Sequence, residues 1–127
     1  MTSRRTPAWW RRRSRDAPDA ALMQNLAAAI GDGDATAMRM LLAPVSRLVI
    51  DGGAAVESGE LRGRDAVAIA LASAPSEVAI VSMNGAPGLT ILQRGQVVAT
   101  LSVSVHRRLI TAAWSVRNPD KLRHWNR

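Results

Sequence analysis

Residues 96–106, QVVATLSVSVH, alternate between apolar and mostly polar side chains, and this alternation constrains the fold more than any other feature of the chain. The apolar set is Val97, Ala99, Leu101, Val103 and Val105. Successive side chains of a strand point to opposite faces, so a period of two predicts a strand with one face on the core. The next segment continues the pattern, with Ile110, Ala112, Trp114 and Val116 on one side. The two segments predict long neighbouring strands of an antiparallel sheet.

Four further strands are predicted from short apolar runs. They cover residues 45–50, about 56–61, 77–84 and 88–93. The dipeptides Asn84-Gly85 and Arg94-Gly95 lie between such runs, where tight hairpin turns are expected. The sheet is therefore predicted to have six strands.

Three helices are predicted, two before the first strand and one between the second and third strands. The first helix has apolar residues at four-residue steps: Leu22, Leu26 and Ile30. Gly31 is predicted to end it, Asp34 to cap the second helix, Pro44 to terminate that helix, and Gly63 to precede the third. The order ααββαββββ predicts an α+β domain, in which a curved antiparallel β-sheet holds the helices in its concavity and forms a cone open at one end.

The composition limits the core and its chemistry. The chain has 127 residues and contains no Cys, Phe or Tyr, so its core must be aliphatic and disulfides are excluded. No apolar run approaches the ~18 residues of a membrane span. We expect one domain, residues 19–127, in a soluble cytoplasmic protein.

The positive charge is concentrated at the start of the chain. Residues 1–15 contain six Arg and no acidic residue, whereas the rest of the chain carries 11 basic and 10 acidic side chains. Residues 1–18 are predicted to be a basic disordered tail. Contact with nucleic acid through residues 1–15 is the alternative, since Trp9 and Trp10 could stack on bases.

Three short motifs carry a family resemblance: Asp51-Gly52-Gly53, Asn84-Gly85-Ala86-Pro87-Gly88 and Arg117-Asn118-Pro119-Asp120-Lys121-Leu122. With the predicted fold, residues 19–124 resemble SnoaL-like domains of the nuclear-transport-factor-2-like superfamily. They are most similar to the C-terminal extension of SigJ-like extracytoplasmic-function sigma factors. Ala54 and Ala55 depart from the Gly and Lys of that family. Because the sigma domains are missing, we do not expect this chain alone to work as a sigma factor.

The resemblance implies a regulatory role in transcription by contact with sigma-factor domains or RNA polymerase, as a stand-alone or truncated form. By position, it implies partner-contact roles for Asp51, Gly52, Gly53, Asn118, Pro119, Asp120, Lys121 and Leu122. The last segment has two interpretations. Either it presents Asp120, Lys121 and Leu122 to a partner, or Leu122 and Trp125 fold back and plug the cone.

The residues themselves favour a domain without catalysis. An isomerase-type site needs a carboxylate and a neutral donor such as Tyr, and the chain has no Tyr. The central carboxylates all fall in predicted turns or helix starts: Asp51, Glu57, Glu60 and Asp65. Two His residues make no metal site. No catalytic residue, cofactor or metal is predicted.

The alternative function is a SnoaL-like small-molecule-binding protein, or an isomerase or hydrolase of a hydrophobic substrate. A cone lined by Val, Leu, Met and Trp114 would hold an apolar ligand, or its own side chains would fill it. The polar row Thr100, Ser102 and Ser104 predicts an open sheet face, which would allow a homodimer.

Overall fold

The computed structural model describes residues 18–53 and 59–126, which form one six-stranded sheet with helices. The helices are α1 (Ala20–Asp32), α2 (Ala35–Leu41), α3 (Arg64–Leu71) and α4 (Pro119–Leu122), and a 3-10 turn (Arg123–Asn126) follows α4. The strands are β1 (Leu42–Asp51), β2 (Gly59–Arg62), β3 (Glu77–Met83), β4 (Ala86–Gln93), β5 (Gln96–His106) and β6 (Leu109–Val116). None of the described helices is long and apolar enough to cross a membrane. The basic segment 1–15 lies outside the described residues.

Aspartate side chains cap the first two helices. Asp19 accepts a hydrogen bond from the backbone N–H of Leu22 at 2.7 Å, and Asp34 accepts one from Ala37 at 3.0 Å. Each bond satisfies a backbone donor that the first helical turn leaves without a partner. The predicted helix start at Asp34 is confirmed.

The end of α1 differs from the prediction. Gly31 lies within the helix, and Gly33 is the C-cap, with a left-handed φ of 64°. A Cβ atom on Gly33 would lie 2.7 Å from the carbonyl carbon of Ala74 and from the nitrogen of Pro75. The chain reverses at position 33, and glycine is needed there because the position has both a positive φ and a close backbone approach.

The predicted α+β cone-type fold is confirmed, with one difference in strand direction. The sheet order is β2-β1-β6-β5-β4-β3, and every neighbouring pair is antiparallel except β1 and β6, which are parallel. Helix α3 carries the chain from β2 at one edge to β3 at the other. The meander β3–β6 then returns to β1, and its last strand runs in the direction of β1.

Pro44 does not end α2, as the sequence predicted. The helix ends at Leu41, and Pro44 lies inside β1 between Leu42 and Arg47, where pairing with β6 changes register. Proline has no backbone N–H to donate, so it fits an irregular part of a strand. The second predicted strand, about 56–61, is described from Gly59 to Arg62, and the part of this prediction on residues 56–58 lies outside the described residues.

A β-bulge divides the apolar row of β5. Ile91 pairs with Ala99, but the next residue, Leu92, pairs with Val97, so Val98 is an extra residue in β5. A bulge of one residue moves all side chains beyond it to the opposite face. Val97 therefore faces away from the side that carries Ala99.

A second bulge divides the apolar row of β6. Ser104 pairs with Ala112 and Val105 pairs with Ile110, which makes Thr111 the extra residue. Ile110 thus faces the same side as Val105, and Ala112 faces the other side. The single continuous apolar face predicted for this strand is wrong, because the bulge divides it.

The bulges produce two apolar clusters. The main core lies between the sheet and α1–α3 and includes Leu26, Ile30, Met38, Leu48, Val67, Leu101 and Ile110. The smaller cluster contains Val97, Val116 and Leu122, with the partly buried Leu92, Trp114 and Trp125 packed against it. Trp114, which was expected to line the cone, packs against this second cluster.

The polar row of β5 is not an open surface. Thr100 and Ser104 are 2% and 0% exposed, and Ser102 is half-buried with its hydroxyl 3.6 Å from the Met83 sulfur. These small side chains lie on β5, which has a neighbouring strand on each side. The open face expected to support a homodimer is absent at these positions.

Candidate functional site

Two segments singled out by the family resemblance lie side by side. The DGG turn (residues 51–53) begins at the end of β1, and the NPDKL segment (residues 118–122) follows β6. Asp51 is opposite Val116 in the parallel pair, so both segments leave the sheet at the same edge. The backbone N–H of Arg117 donates to the carbonyl oxygen of Asp51 at 2.7 Å and extends the pairing by one residue.

An ion pair connects the two segments. The Lys121 Nζ donates to the Asp51 Oδ2 at 2.5 Å, and the two side chains are 30% and 21% exposed. Salt screens such a partly buried pair less than a pair in open solvent. The ion pair therefore holds the NPDKL segment against the DGG turn.

Close packing also joins the two segments. Gly53 has a φ of 63°, and a Cβ atom at this position would lie 2.5 Å from the Asn118 Cγ. No larger residue fits there without displacing the Asn118 side chain. Glycine at 53 thus allows both the turn and the contact.

The residues Asn118 and Pro119 begin a short helix rather than a simple turn. The Asn118 side chain accepts a hydrogen bond from the backbone N–H of Asp120 at 3.0 Å, and Pro119 occupies the first turn of α4. Both positions suit residues that start helices, since Asn caps the free N–H groups and Pro has a helical φ. The helix turns Lys121 toward Asp51.

The eight family-implied residues differ in their exposure. Gly53, Pro119 and Asp120 are exposed, Asp51, Asn118 and Lys121 are partly buried, and Gly52 and Leu122 are buried. Leu122 is 3% exposed and packs with Val97 and Val116. For Leu122, the structure therefore matches the interpretation in which this side chain folds back onto the domain.

The end of the chain is fastened to β5 by a side-chain amide. The Asn126 Oδ1 accepts a hydrogen bond from the Val97 N–H at 2.7 Å, and the Asn126 Nδ2 donates to the Val97 carbonyl oxygen at 3.0 Å. The amide therefore satisfies both backbone groups of Val97, much as a neighbouring strand would. The sequence did not predict this role of Asn126.

A cavity of about 890 Å³ opens beside this fastened segment. Its walls come from the end of α1, α3, β4, the start of β5 and the C-terminal segment, and its apolar residues include Ile30, Leu71, Ile91, Val98 and Leu122. Pockets of about 300–1,000 Å³ are typical of small-molecule sites. Side chains therefore leave this end of the cone unfilled.

Arg117 is the half-buried cation of the cavity wall. Its Nε–H donates to the hydroxyl of Ser115 at 3.2 Å, and Ser115 lies opposite Leu101 on the face that holds the main core. Burial lowers the pKa of the Arg117 guanidinium below its ordinary value. Within residues 18–53 and 59–126, no carboxylate pairs with this guanidinium.

The central carboxylates lie elsewhere. Asp51 pairs with Lys121, and Glu60 and Asp65 pair with surface arginines at 2.8 and 2.6 Å. Glu57 lies outside the described residues. The described cavity wall contains no Asp, Glu or His, and no three such side chains of the described residues form a metal-binding group. The observed wall therefore offers no side chain suited to proton transfer near neutral pH.

Arg117 belongs to the family motif, but the sequence did not predict it as a cavity residue. Ser115 and Arg117 continue an alternation in which Trp114 and Val116 face the other side of β6. This pattern would have placed Arg117 on the inner face. That placement depends on the register of β6, which cannot be deduced from the sequence because the bulge at Thr111 shifts it.

The structure defines the class of fold. The domain has the cystatin-like α+β fold shared by nuclear-transport-factor-2-like and ketosteroid-isomerase-like proteins. A scan against protein-family models found no match, and a search of curated proteins found none either. Solved structures do match, but their sequence identity to this chain is so low that the similarity shows only the fold.

Three such structures illustrate the similarity. An uncharacterized bacterial protein with a cystatin-like fold from Silicibacter pomeroyi DSS-3 matches with a TM-score of 0.60 and 18% identity, over 83% of this chain and 79% of that chain. The extracytoplasmic-function sigma factor SigJ of Mycobacterium tuberculosis matches with a TM-score of 0.60 and 19% identity, over 84% of this chain and 44% of SigJ. A ketosteroid-isomerase-like hypothetical protein from Catenulispora acidiphila, in complex with trimethylamine, matches with a TM-score of 0.57 and 14% identity, over 84% and 91%.

Proposed function

We propose that this domain is a non-catalytic regulatory module, akin to the C-terminal extension of a SigJ-like sigma factor. It acts in transcription regulation by protein contact. The contact surface consists of the DGG turn and the NPDKL segment, and the partners are sigma-factor domains or RNA polymerase. Such a role implies a cytoplasmic location.

The ion pair between Asp51 and Lys121 is the observation that carries this proposal. It joins two segments that are distant in sequence into one surface, which exposes Gly53, Pro119 and Asp120. A surface held in place by its own contacts loses little conformational entropy when a partner binds. This preorganisation suits a protein-contact site.

The wall of the cavity supports a role without catalysis. General acid–base chemistry needs a titratable side chain within hydrogen-bond reach of the substrate. The described wall presents Arg117 and Arg123 as its charged groups, together with serines, Gln93 and Asn126. Arginine stays protonated near neutral pH, so it binds or orients a ligand rather than accepting a proton.

An exchange of charges tests the proposed contact surface. The double variant Asp51→Lys with Lys121→Asp keeps opposite charges together but reverses their positions. We expect it to fold normally and to bind the isolated sigma domains of a SigJ-like factor at least about tenfold more weakly in calorimetric titrations, because misplaced charges across an interface are costly.

The matched control exchanges another ion pair. Arg39 and Asp65 pair at 2.6 Å between α2 and α3, away from the proposed surface. The variant Arg39→Asp with Asp65→Arg should bind the sigma domains as the native chain does. Equal affinity of both exchange variants, or no binding by the native chain, would contradict the proposal.

The cavity favours a second candidate function, the binding of an apolar small molecule. Its volume of about 890 Å³ and its aliphatic wall are the specific observations. Pro119 and Leu122 belong to both the wall and the NPDKL segment, so a bound molecule would lie against part of the proposed contact surface.

A further inference from the structure

The geometry points to a ligand class for the cavity: we propose that it binds apolar molecules that carry a single carboxylate, with Arg117 as the counter-ion. This inference rests on the second candidate function, the binding of a small molecule. It adds a charge requirement that an apolar cavity alone does not impose.

The first argument concerns the cost of a half-buried cation. Arg117 keeps its charge near neutral pH, and a charge withdrawn from water is unfavourable unless an opposite charge or hydrogen-bond acceptors compensate it. In the part of the chain that the structure describes, only the Nε–H has a protein acceptor, the Ser115 hydroxyl. Both terminal NH2 groups of the guanidinium therefore remain available to a ligand.

The second argument concerns the chemistry of the acceptor. A guanidinium donates two parallel hydrogen bonds to a carboxylate, and this paired geometry is among the stronger recognition modes in proteins. Ser115 holds the Nε–H and so limits the rotation of the group. The Arg117 side chain is thus positioned to receive a planar anion.

The third argument concerns the number of charges. Arg123 also lines the cavity, but its side chain is 75% exposed and pairs with Asp120 at 2.8 Å. Asp120 compensates that charge, which leaves one uncompensated cation among the described residues of the wall. One positive charge matches a monoanion such as a carboxylate better than a phosphate dianion.

The fourth argument concerns the rest of the ligand. Apart from Arg117 and a few polar groups, the wall is aliphatic, with Ile30, Leu71, Ile91 and Val98 among its residues. Contact with such a wall favours a ligand body of hydrocarbon. An amphipathic molecule, apolar except for its acid group, satisfies both parts of the cavity.

Two probes that differ only in their head group test the inference. Decanoate and decanol share their hydrocarbon chain, and their affinities for the native chain can be measured by calorimetry below the concentrations at which they aggregate. We expect decanoate to bind at least about tenfold more tightly, because a charge-assisted hydrogen bond contributes more than a neutral one.

The variant Arg117→Gln should abolish most of this preference, and Arg117→Lys should keep part of it. Arg123→Gln is the matched control, since it removes another arginine of the same wall, and it should keep the native preference. Circular dichroism of each variant checks folding, and the two Arg117 variants provide independent measurements if one of them folds poorly.

The outcomes separate the inference from the function on which it rests. Equal binding of decanol and decanoate to the native chain would overturn the charge requirement and leave small-molecule binding intact. Binding of neither probe at any concentration below aggregation would overturn both. A preference for decanoate that persists in Arg117→Gln and disappears in Arg123→Gln would assign the charge to the wrong residue and overturn the inference.

Discussion

The side-chain amide of Asn126 forms hydrogen bonds with both backbone groups of Val97. It accepts from the N–H at 2.7 Å and donates to the carbonyl oxygen at 3.0 Å. Strand β6 ends at Val116, which is paired with Thr100. Val97 therefore extends beyond the end of β6. One amide provides the pairing that a longer β6 would have given, and it holds the C-terminal segment on the sheet.

Removal of this amide should destabilise the domain measurably. Asn126→Ala leaves both backbone groups of Val97 without their partner, and we expect a loss of about 1–2 kcal/mol in the free energy of unfolding. Urea denaturation would measure the loss. His124→Ala, at an exposed position of the same turn, is the control and should change the stability little. Equal stability of the two variants would show that the amide does not hold the segment.

The contact between Gly53 and Asn118 predicts a position-specific effect of alanine. Gly53→Ala introduces strain at a positive φ and overlap with Asn118, and the two costs together should reach about 2–4 kcal/mol. Gly95→Ala is the matched control, because Gly95 has a φ of 77° but nothing within 4 Å of an added Cβ. Thermal and urea unfolding should show the larger loss at 53. A larger loss at 95 would contradict the contact.

The burial of Leu122 predicts a large effect of its truncation. Leu122→Ala should cost about 2–5 kcal/mol, as expected for a buried leucine. Leu61 is 37% exposed, so Leu61→Ala should stay within about 0.5 kcal/mol of the native stability. Equilibrium denaturation of both variants makes the comparison. A Leu122→Ala variant as stable as Leu61→Ala would restore the interpretation in which this side chain serves a partner.

The environment of Arg117 predicts a gain in stability when its charge is removed. Burial lowers the pKa of Arg117 in the folded state, so the protonated guanidinium makes folding less favourable. This cost is fully present below the folded pKa and is relieved only as the pH rises from that value toward the ordinary pKa of the guanidinium.

The double variant Arg117→Met with Ser115→Ala removes the cation and its hydrogen-bond partner together. Its unfolding free energy at neutral pH should exceed that of the native chain by on the order of 1 kcal/mol or less, since the guanidinium is only partly buried. Arg117→Met alone should gain less, because it leaves the Ser115 hydroxyl without its donor. Thermal melts at neutral pH would check the order, and a clear loss in the double variant would show that the cation stabilises the fold.

The sequence predicted the elements that depend on local patterns. Four-residue apolar steps and the Asp34 cap predicted the first two helices, and the two-residue alternation predicted β5 and β6. The prediction that the first helix ends at Gly31 was wrong. Gly31 and Gly33 both follow the same apolar run, and the local pattern does not distinguish them. The choice of Gly33 depends on the backbone of Ala74, which is distant in sequence.

The parts of the site that escaped prediction depend on strand register. Local alternation does not reveal an extra residue at Val98 or Thr111, since a bulge is defined by the partner strand. The same limit hid the inner position of Arg117. The meeting of Asp51 with Lys121 depends on the parallel pairing of β1 and β6, which no hairpin signal indicates. The assignment of residues 1–18 as a tail and 19–127 as a domain stays a prediction.

The bulge at Val98 gives β5 one position at which a residue can be lost. Without Val98, Leu92 would still pair with Val97 and Ile91 with Ala99, so Val97 would keep the face that contacts Leu122. A deletion in the regularly paired part of β5, such as residues 99–104, would instead move every side chain on one side of it to the opposite face. Insertions and deletions in relatives of this domain should therefore be confined to hairpin turns such as 94–95 and to the bulge.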